Sequence, residues 1–169
     1  MQTILLNNGV KMLILGYGLF QVPPQEAERC TRDALDVGYR LIDTAQAYGN
    51  EDGVGNAIRK SGLKREDIFI VTKVWITNAG EEKAARSIEQ SLKKLQTDYV
   101  DYLLLHSVGG TSTGKDSMQT FYGRYMDNGI LDWLVEQKKK GRIRNLGFSY
   151  HGDINIFDML LRWHDEGKY

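Results

Sequence analysis

Four residues of kinds that move protons stand at, or just beyond, the ends of apolar runs. Asp43 closes Leu41-Ile42, Lys73 closes Ile68-Phe69-Ile70-Val71-Thr72, and His106 closes Tyr102-Leu103-Leu104-Leu105. Tyr48 follows Asp43 on the next loop, in Thr44-Ala45-Gln46-Ala47-Tyr48-Gly49-Asn50. A carboxylate, a phenol, an ammonium and an imidazole suit the reduction of a carbonyl. The carbonyl that accepts hydride develops alkoxide character, and a proton must reach its oxygen. A phenol, with a reference pKa of about 10, is a general acid at neutral pH. A neighbouring ammonium favours the phenolate left behind, and Lys73 supplies that charge. Asp43 offsets the burial of the ammonium by pairing with it. His106 can donate to the carbonyl oxygen and orient it. In the reverse direction Tyr48 acts as the base.

Taken singly, each residue has an ordinary structural role. Asp43 could cap a turn, Lys73 could reach to solvent, His106 could be a satisfied core histidine, and Tyr48 could be a half-buried packing residue. Their joint occurrence on successive strand ends favours chemistry. In a parallel (β/α) barrel, side chains at the carboxyl ends of the strands converge on one mouth.

The elements that must position them alternate. Strands are expected at about 39–44, 68–73, 99–105 and 143–148, and helices at about 50–61, 81–95, 127–140 and 153–165. The strands are nearly continuous apolar runs, as expected when helices cover a parallel sheet. In 81–95, Ala84, Ile88, Leu92 and Leu95 form one apolar stripe. Strand–helix alternation at roughly thirty-residue spacing implies right-handed βαβ units. A hairpin precedes them: Ile4-Leu5-Leu6 and Val10-Lys11-Met12 flank Asn7-Asn8-Gly9, a strong turn signal. A first inner strand is expected near Leu13-Ile14-Leu15-Gly16, and a helix from Pro23-Pro24 to about Val37, ended by Gly38. The expected fold is α/β: a partial (β/α)8 TIM barrel of about five βα units behind an N-terminal hairpin, one domain over 1–169.

Composition narrows the functions. The 22 basic and 22 acidic residues give a formal net charge of zero without blocks of one sign. Nothing favours nucleic acid or a membrane surface. No apolar stretch approaches the ~20 residues of a membrane span. The N-terminus lacks a basic segment leading a long apolar core, so no signal peptide is expected. The single cysteine, Cys30, excludes an internal disulfide and fits a reducing compartment. A soluble, cytoplasmic protein without a metal site is expected. Two glycine-rich stretches are poor phosphate cradles. Val108-Gly109-Gly110-Thr111-Ser112-Thr113-Gly114-Lys115 lacks the Walker pattern and reads as a flexible loop at the site. Gly16-Tyr17-Gly18 lacks the third glycine of a dinucleotide fingerprint.

Across most of its length the chain resembles the aldo-keto reductases. Leu13-Ile14-Leu15-Gly16-Tyr17-Gly18-Leu19-Phe20 resembles the family's first-strand segment, and Val37-Gly38-Tyr39-Arg40-Leu41-Ile42-Asp43-Thr44-Ala45 with Tyr48-Gly49-Asn50-Glu51 its Asp/Tyr motif. Thr72-Lys73-Val74-Trp75 resembles the lysine strand, Asp98 to His106 the histidine strand, and Gly141 to Ser149 the fifth strand. The resemblance implies a catalytic tetrad of Asp43, Tyr48, Lys73 and His106 and NADPH as the hydride source. It puts Gly18 and Leu19 along the cofactor, Thr44 near the nicotinamide and Ser149 on its carboxamide. Phe20 and Trp75 would wall an apolar or aromatic pocket for a small aldehyde or ketone.

Three departures accompany the resemblance. The family's Ser-Asn pair is Ser149-Tyr150 here. The segment from Ser107 through Asp127-Asn128-Gly129-Ile130-Leu131-Asp132 resembles another branch of the superfamily, and no cysteine cluster implies an iron–sulfur site. Third, a complete barrel needs about 250 residues, whereas this sequence has 169. The last three strands, which in the family clamp the cofactor's pyrophosphate and 2′-phosphate, are therefore expected to be missing. Leu103, Leu105, Ile143 and Leu146 are expected to be interior residues that those strands would shelter. Open edges then favour pairing with another copy. The alternative to a reductase is a non-catalytic half-barrel that binds or self-assembles.

Overall fold

The computed structural model describes residues 2–75, 81–109, 117–127 and 129–168, the side chains of 81–84 and 117 excepted. Strands β1 (Thr3–Leu5) and β2 (Lys11–Leu13) pair antiparallel as the expected hairpin, with Gly9 at φ 80° in its turn. The main sheet follows with β3 (Tyr17–Gly18), β4 (Leu41–Asp43), β5 (Phe69–Val74), β6 (Val100–Val108) and β7 (Ile143–Tyr150). All four pairings are parallel and the order is sequential, β3-β4-β5-β6-β7. The connections carry helices α1 (Pro24–Asp36), α2 (Glu51–Ser61), α3 (Glu81–Leu95), α4 (Ser117–Phe121) and α5 (Ile130–Lys139); α6 (Ile154–Asp165) follows β7. Sequential parallel strands joined by helices make five βα units of a partial barrel.

Local chemistry explains the boundaries. Pro24 opens α1 where a missing N–H is harmless, and α1 buries Ala27, Thr31, Ala34 and Leu35 along one stripe. Asp153 caps α6 by accepting from the Asn155 amide at 2.8 Å. Ile42, Ile70 and Leu103 are at most 1% exposed between sheet and helices, packed with Leu35, Val54, Ile88 and Leu95. Each such side chain stabilises the fold by about 1.5–3 kcal/mol through burial. At the amino ends of the strands Asp101, itself buried, accepts from the Ile70 amide, Arg65 and Arg144 at 2.9–3.1 Å. The two guanidiniums also stack on Tyr99, at 4.1 and 3.7 Å from its ring centre.

Several expectations are corrected. The first inner strand is Tyr17–Gly18, because Leu13 belongs to the hairpin and Ile14 and Leu15 are 50% and 63% exposed. The helix expected from 127 starts at Ile130, preceded by α4 and a π-helical turn over Tyr122–Met126. Most of the expected flexible loop after β6 lies outside the described residues. Leu103, Leu105 and Leu146 are not interior residues. The two-residue period puts Leu104 and His106 on the inner face, so Leu103 and Leu105 point under the helices, 1% and 6% exposed. Leu146 pairs with Leu103 on that same face. Ile143 does lie on the inner side by register, and is 0% exposed.

Two glycines let the helices approach. A Cβ on Gly53 would stand 2.7 Å from the Ala27 methyl of α1. On Gly55 it would overlap the Lys94 carbonyl oxygen and stand 2.8 Å from the Leu95 carbonyl carbon of α3. That obstacle is backbone, which no rotamer change relieves. Gly55→Ala should lower unfolding free energy by about 1–2 kcal/mol, overpacking outweighing the gain in helix propensity. An unchanged or raised urea midpoint would contradict this packing.

Candidate active site

Register places the site. Asp43, Val71, Tyr102 and Asn145 align across β4 to β7 on the inner face. Two residues further along is the row of Lys73, Leu104 and Gly147. His106 and Ser149 lie beyond that, where β6 and β7 shift register between Leu105 and Val108. The three strand-end groups therefore meet at the carboxyl end of the sheet. Tyr48 comes from a 3-10 turn over Gln46–Tyr48, which Gly49 closes at φ 68° before α2 begins.

Lys73 is the hub. Its ammonium donates to both Asp43 oxygens at 2.7 and 2.8 Å and to the Thr44 carbonyl at 3.0 Å. Three acceptors match its three protons, and its side chain is only 9% exposed. Tyr48 lies above it, with Nζ 5.1 Å from the ring centre. His106 meets the Tyr48 ring edge-on at 5.8 Å and the Trp75 ring at 4.8 Å. Phe20, 65% exposed, stands 5.2 Å from Tyr48 on its outer side. The structure thus brings together all four expected proton-moving residues and both expected pocket walls.

The expected cofactor contacts divide into two sets. Gly18 is exposed at the rim, with open space where a side chain would be. The Ser149 hydroxyl accepts from the Ser107 amide at 2.8 Å and keeps its own proton. Ser107 itself has φ 58°, a left-handed conformation uncommon for a non-glycine residue. Leu19 and Thr44 are 0% exposed, and their polar groups are spent internally. Leu19 donates to the Asp43 carbonyl at 2.9 Å, and the Thr44 hydroxyl donates to Asn50 at 2.7 Å.

Two buried residues escaped the sequence reading. Asn50, 1% exposed, also donates to the Leu19 and Val22 carbonyls at 3.0 Å. Glu51, likewise 1% exposed, accepts from Thr72 at 2.7 Å and Ser91 at 3.0 Å. Burial raises the Glu51 carboxyl above its ordinary value, and the two hydroxyls pull it back. The signal was the run Gly49-Asn50-Glu51, which reads as a helix start, whereas the Asn50 side chain caps nothing.

His106 is held below the ordinary histidine value, by burial first and then by the Lys73 ammonium, against an upward pull from Asp43. Its Nδ1 is buried without a hydrogen-bond partner among the described residues. A neutral imidazole has one N–H to offer a carbonyl oxygen. No cluster of His, Cys, Asp or Glu among the described residues could hold a metal ion, and no described helix is long and apolar enough to cross a membrane.

An Asp–Lys pair thus lies beneath a tyrosine, with an imidazole beside it, at the carboxyl end of a parallel barrel sheet. Residues 12–168 match the model of the aldo/keto reductase family, and the chain belongs to that family. The glyoxal reductase of Bacillus subtilis (strain 168) is 41% identical over 163 residues, covering 95% of this chain and 53% of that protein. The methylglyoxal reductase DkgB of Salmonella typhi is 40% identical over 136 residues, 79% of this chain and 46% of that one. An aldo/keto reductase crystal structure from Brucella melitensis superposes with a TM-score of 0.75 at 38% identity, over 89% of this chain and 53% of its own. That of a Bombyx mori aldo-keto reductase in complex with NADP gives 0.70 at 26%, over 87% and 50%. The chain spans about half the length of the curated relatives it matches.

The lowered His106 carries a stability signature. The folded state binds this proton less tightly than the unfolded chain does. Its contribution is therefore full above the unfolded value of 6.5 and is lost as pH falls through that value toward the folded one. His106→Gln should flatten the decline in stability as pH falls below the unfolded value of 6.5. Parallel declines in the two proteins, followed by urea unfolding, would contradict the assignment.

Proposed function

We propose that this chain carries the proton-transfer half of an NADPH-dependent reduction of small aldehydes or ketones to alcohols, with Tyr48 as proton donor. The observation that carries the reading is the Lys73 ammonium, held by Asp43 and Thr44 directly beneath the Tyr48 ring. The residues fit the nicotinamide end of the cofactor. Gly18 leaves the rim open, and the Ser149 hydroxyl retains a proton to donate to a carboxamide. Leu19 and Thr44, fully buried, would support the rim from within through their own hydrogen bonds and not by facing the cofactor. The bound cofactor supplies the hydride that adds to the carbonyl carbon.

The chain's own residues do the rest. His106 donates to the carbonyl oxygen and orients it between Trp75 and Tyr48. Tyr48 gives its proton to that oxygen as the new C–H bond forms, leaving an alcohol and a phenolate. The Lys73 charge stabilises the phenolate, and Asp43 keeps that charge in place. Solvent returns the proton to Tyr48. Phe20 and Trp75 line the approach with apolar surface. Small 2-oxoaldehydes are the first substrates to try, since the relatives include a glyoxal reductase and a methylglyoxal reductase. The single free cysteine agrees with work in a reducing, cytoplasmic setting.

A second reading, association through an open barrel edge, rests on β7. That strand pairs with β6 on one side and with no other strand among the described residues. A free strand edge is a template for pairing with another copy. A concentration-independent monomer in sedimentation would remove it.

Tyr48→Phe keeps the ring and loses the proton. It should reduce methylglyoxal-dependent NADPH oxidation by about 10²–10⁴-fold with an unchanged circular dichroism spectrum. Activity equal to the parent chain would overturn the assignment of Tyr48.

A further inference from the structure

We infer that Asn50 is a positioning residue: its buried amide pins both ends of the Leu19–Val22 turn and so sets where Phe20 stands against Tyr48. The inference rests on the carbonyl-reduction reading of the site.

Asn50 precedes α2, where asparagine ordinarily caps a helix. Here the side chain caps nothing and turns inward, 1% exposed. Its two amide protons go to the Leu19 and Val22 carbonyls, each at 3.0 Å. A carbonyl can only accept, so the nitrogen must face this pair and the oxygen must face Thr44. That orientation commits the Thr44 hydroxyl to donate, at 2.7 Å. One side chain therefore joins the turn before α1 to the residue after Asp43.

The turn needs an outside hold. Val22 N–H donates to the Leu19 carbonyl at 3.1 Å, closing the turn on itself. Within it Gln21 has φ 64°, a left-handed conformation that a β-carbon disfavours. Leu19 anchors the near end in the core, 0% exposed, while Phe20 projects from the apex, 65% exposed. The exposed ring nevertheless stands 5.2 Å from Tyr48 at an interplanar angle of 53°. Contact with one neighbouring ring fixes an exposed phenylalanine weakly. Two hydrogen bonds to the backbone on either side of it fix the turn that presents it. Asn50 thereby shapes the wall that an apolar carbonyl substrate meets as it reaches the proton donor.

Two readouts test this. The first needs no turnover: amide hydrogen exchange across residues 17–23 of the full chain, for the parent, Asn50→Asp and Asn50→Ala. Asn50→Asp keeps an acceptor for Thr44 but sets a carboxyl oxygen against the two carbonyls, whereas Asn50→Ala removes the donor without that repulsion, so the two variants break the same hold by different chemistry. Exchange in this segment should quicken on the order of tenfold, with α5 and β7 unchanged. Unchanged exchange at 17–23 would overturn the inference. The second readout is a double-mutant cycle with Phe20→Ala, using benzaldehyde and NADPH. If Asn50 acts through Phe20, Asn50→Asp should raise KM more than it lowers kcat. Adding it to Phe20→Ala should then change kcat/KM by less than about twofold. Fully additive losses would overturn the link to Phe20. A parent chain that reduces no aldehyde would refute the proposed function, and the positioning role would then be decided by exchange alone.

Discussion

The site depends on a single electrostatic requirement. A lysine ammonium is fixed at the end of a buried strand, where each of its three protons needs an acceptor. Parallel register meets that requirement. β4 stops at Asp43, in line with Val71, and Lys73 lies two residues further along the same face of β5. The Lys73 side chain therefore finds the Asp43 carboxylate and the next carbonyl, Thr44, within hydrogen-bond reach. The chain then leaves the sheet through the tight turn that carries Tyr48 back over the charge. If β4 slipped by one residue against β5, Asp43 would point under the helices and Lys73 would lose its partner.

Such a pair is a weak source of stability. Burying two charges costs about as much as their attraction returns, and apolar replacements are often equally stable. The surrounding structure spends its stabilising contacts elsewhere. These are the helix-covered apolar face, the close approaches at Gly53 and Gly55, and the Asp101 network at the opposite end of the strands. The barrel thus separates a stable amino end from a polar carboxyl end. Asn50 and Glu51, buried at the start of α2, lie behind the polar end. They tie it to the turn after β3, to β5 and to α3 through hydrogen bonds to Leu19, Thr72 and Ser91.

How much of this was legible in the residues depends on what each signal measures. Apolar runs reveal β5 and β6 as buried parallel strands, and the regular strand–helix spacing sets β4 and β7 on either side of them. A two-residue strand such as Tyr17–Gly18 carries no run, and the apolar Ile14-Leu15 beside it drew the assignment away although both are half exposed or more. Runs of leucine also hide which face each residue takes. Only the charged and polar strand ends reveal it, and with His106 inward, Leu105 and Leu103 must lie under the helices. The π-helical turn at Tyr122–Met126 has no periodic signature of its own. The tetrad was visible because each member interrupts or follows an apolar run. Asn50 was not, because an asparagine before a helix has a commoner explanation, and only its three partners distinguish a clamp from a cap.

The central claim is that the Asp43–Lys73 pair is retained for proton transfer rather than for folding. It is tested most directly by a cycle of Asp43→Asn, Lys73→Met and the double variant, each assayed for unfolding free energy and for aldehyde reduction. Each single change should cost about 2–4 kcal/mol, less than a fully buried pair, because a third of the Asp43 side chain meets solvent. The double variant should recover most of that stability while reducing no aldehyde. A double variant as unstable as the sum of the singles, or one that still turns over, would contradict the claim.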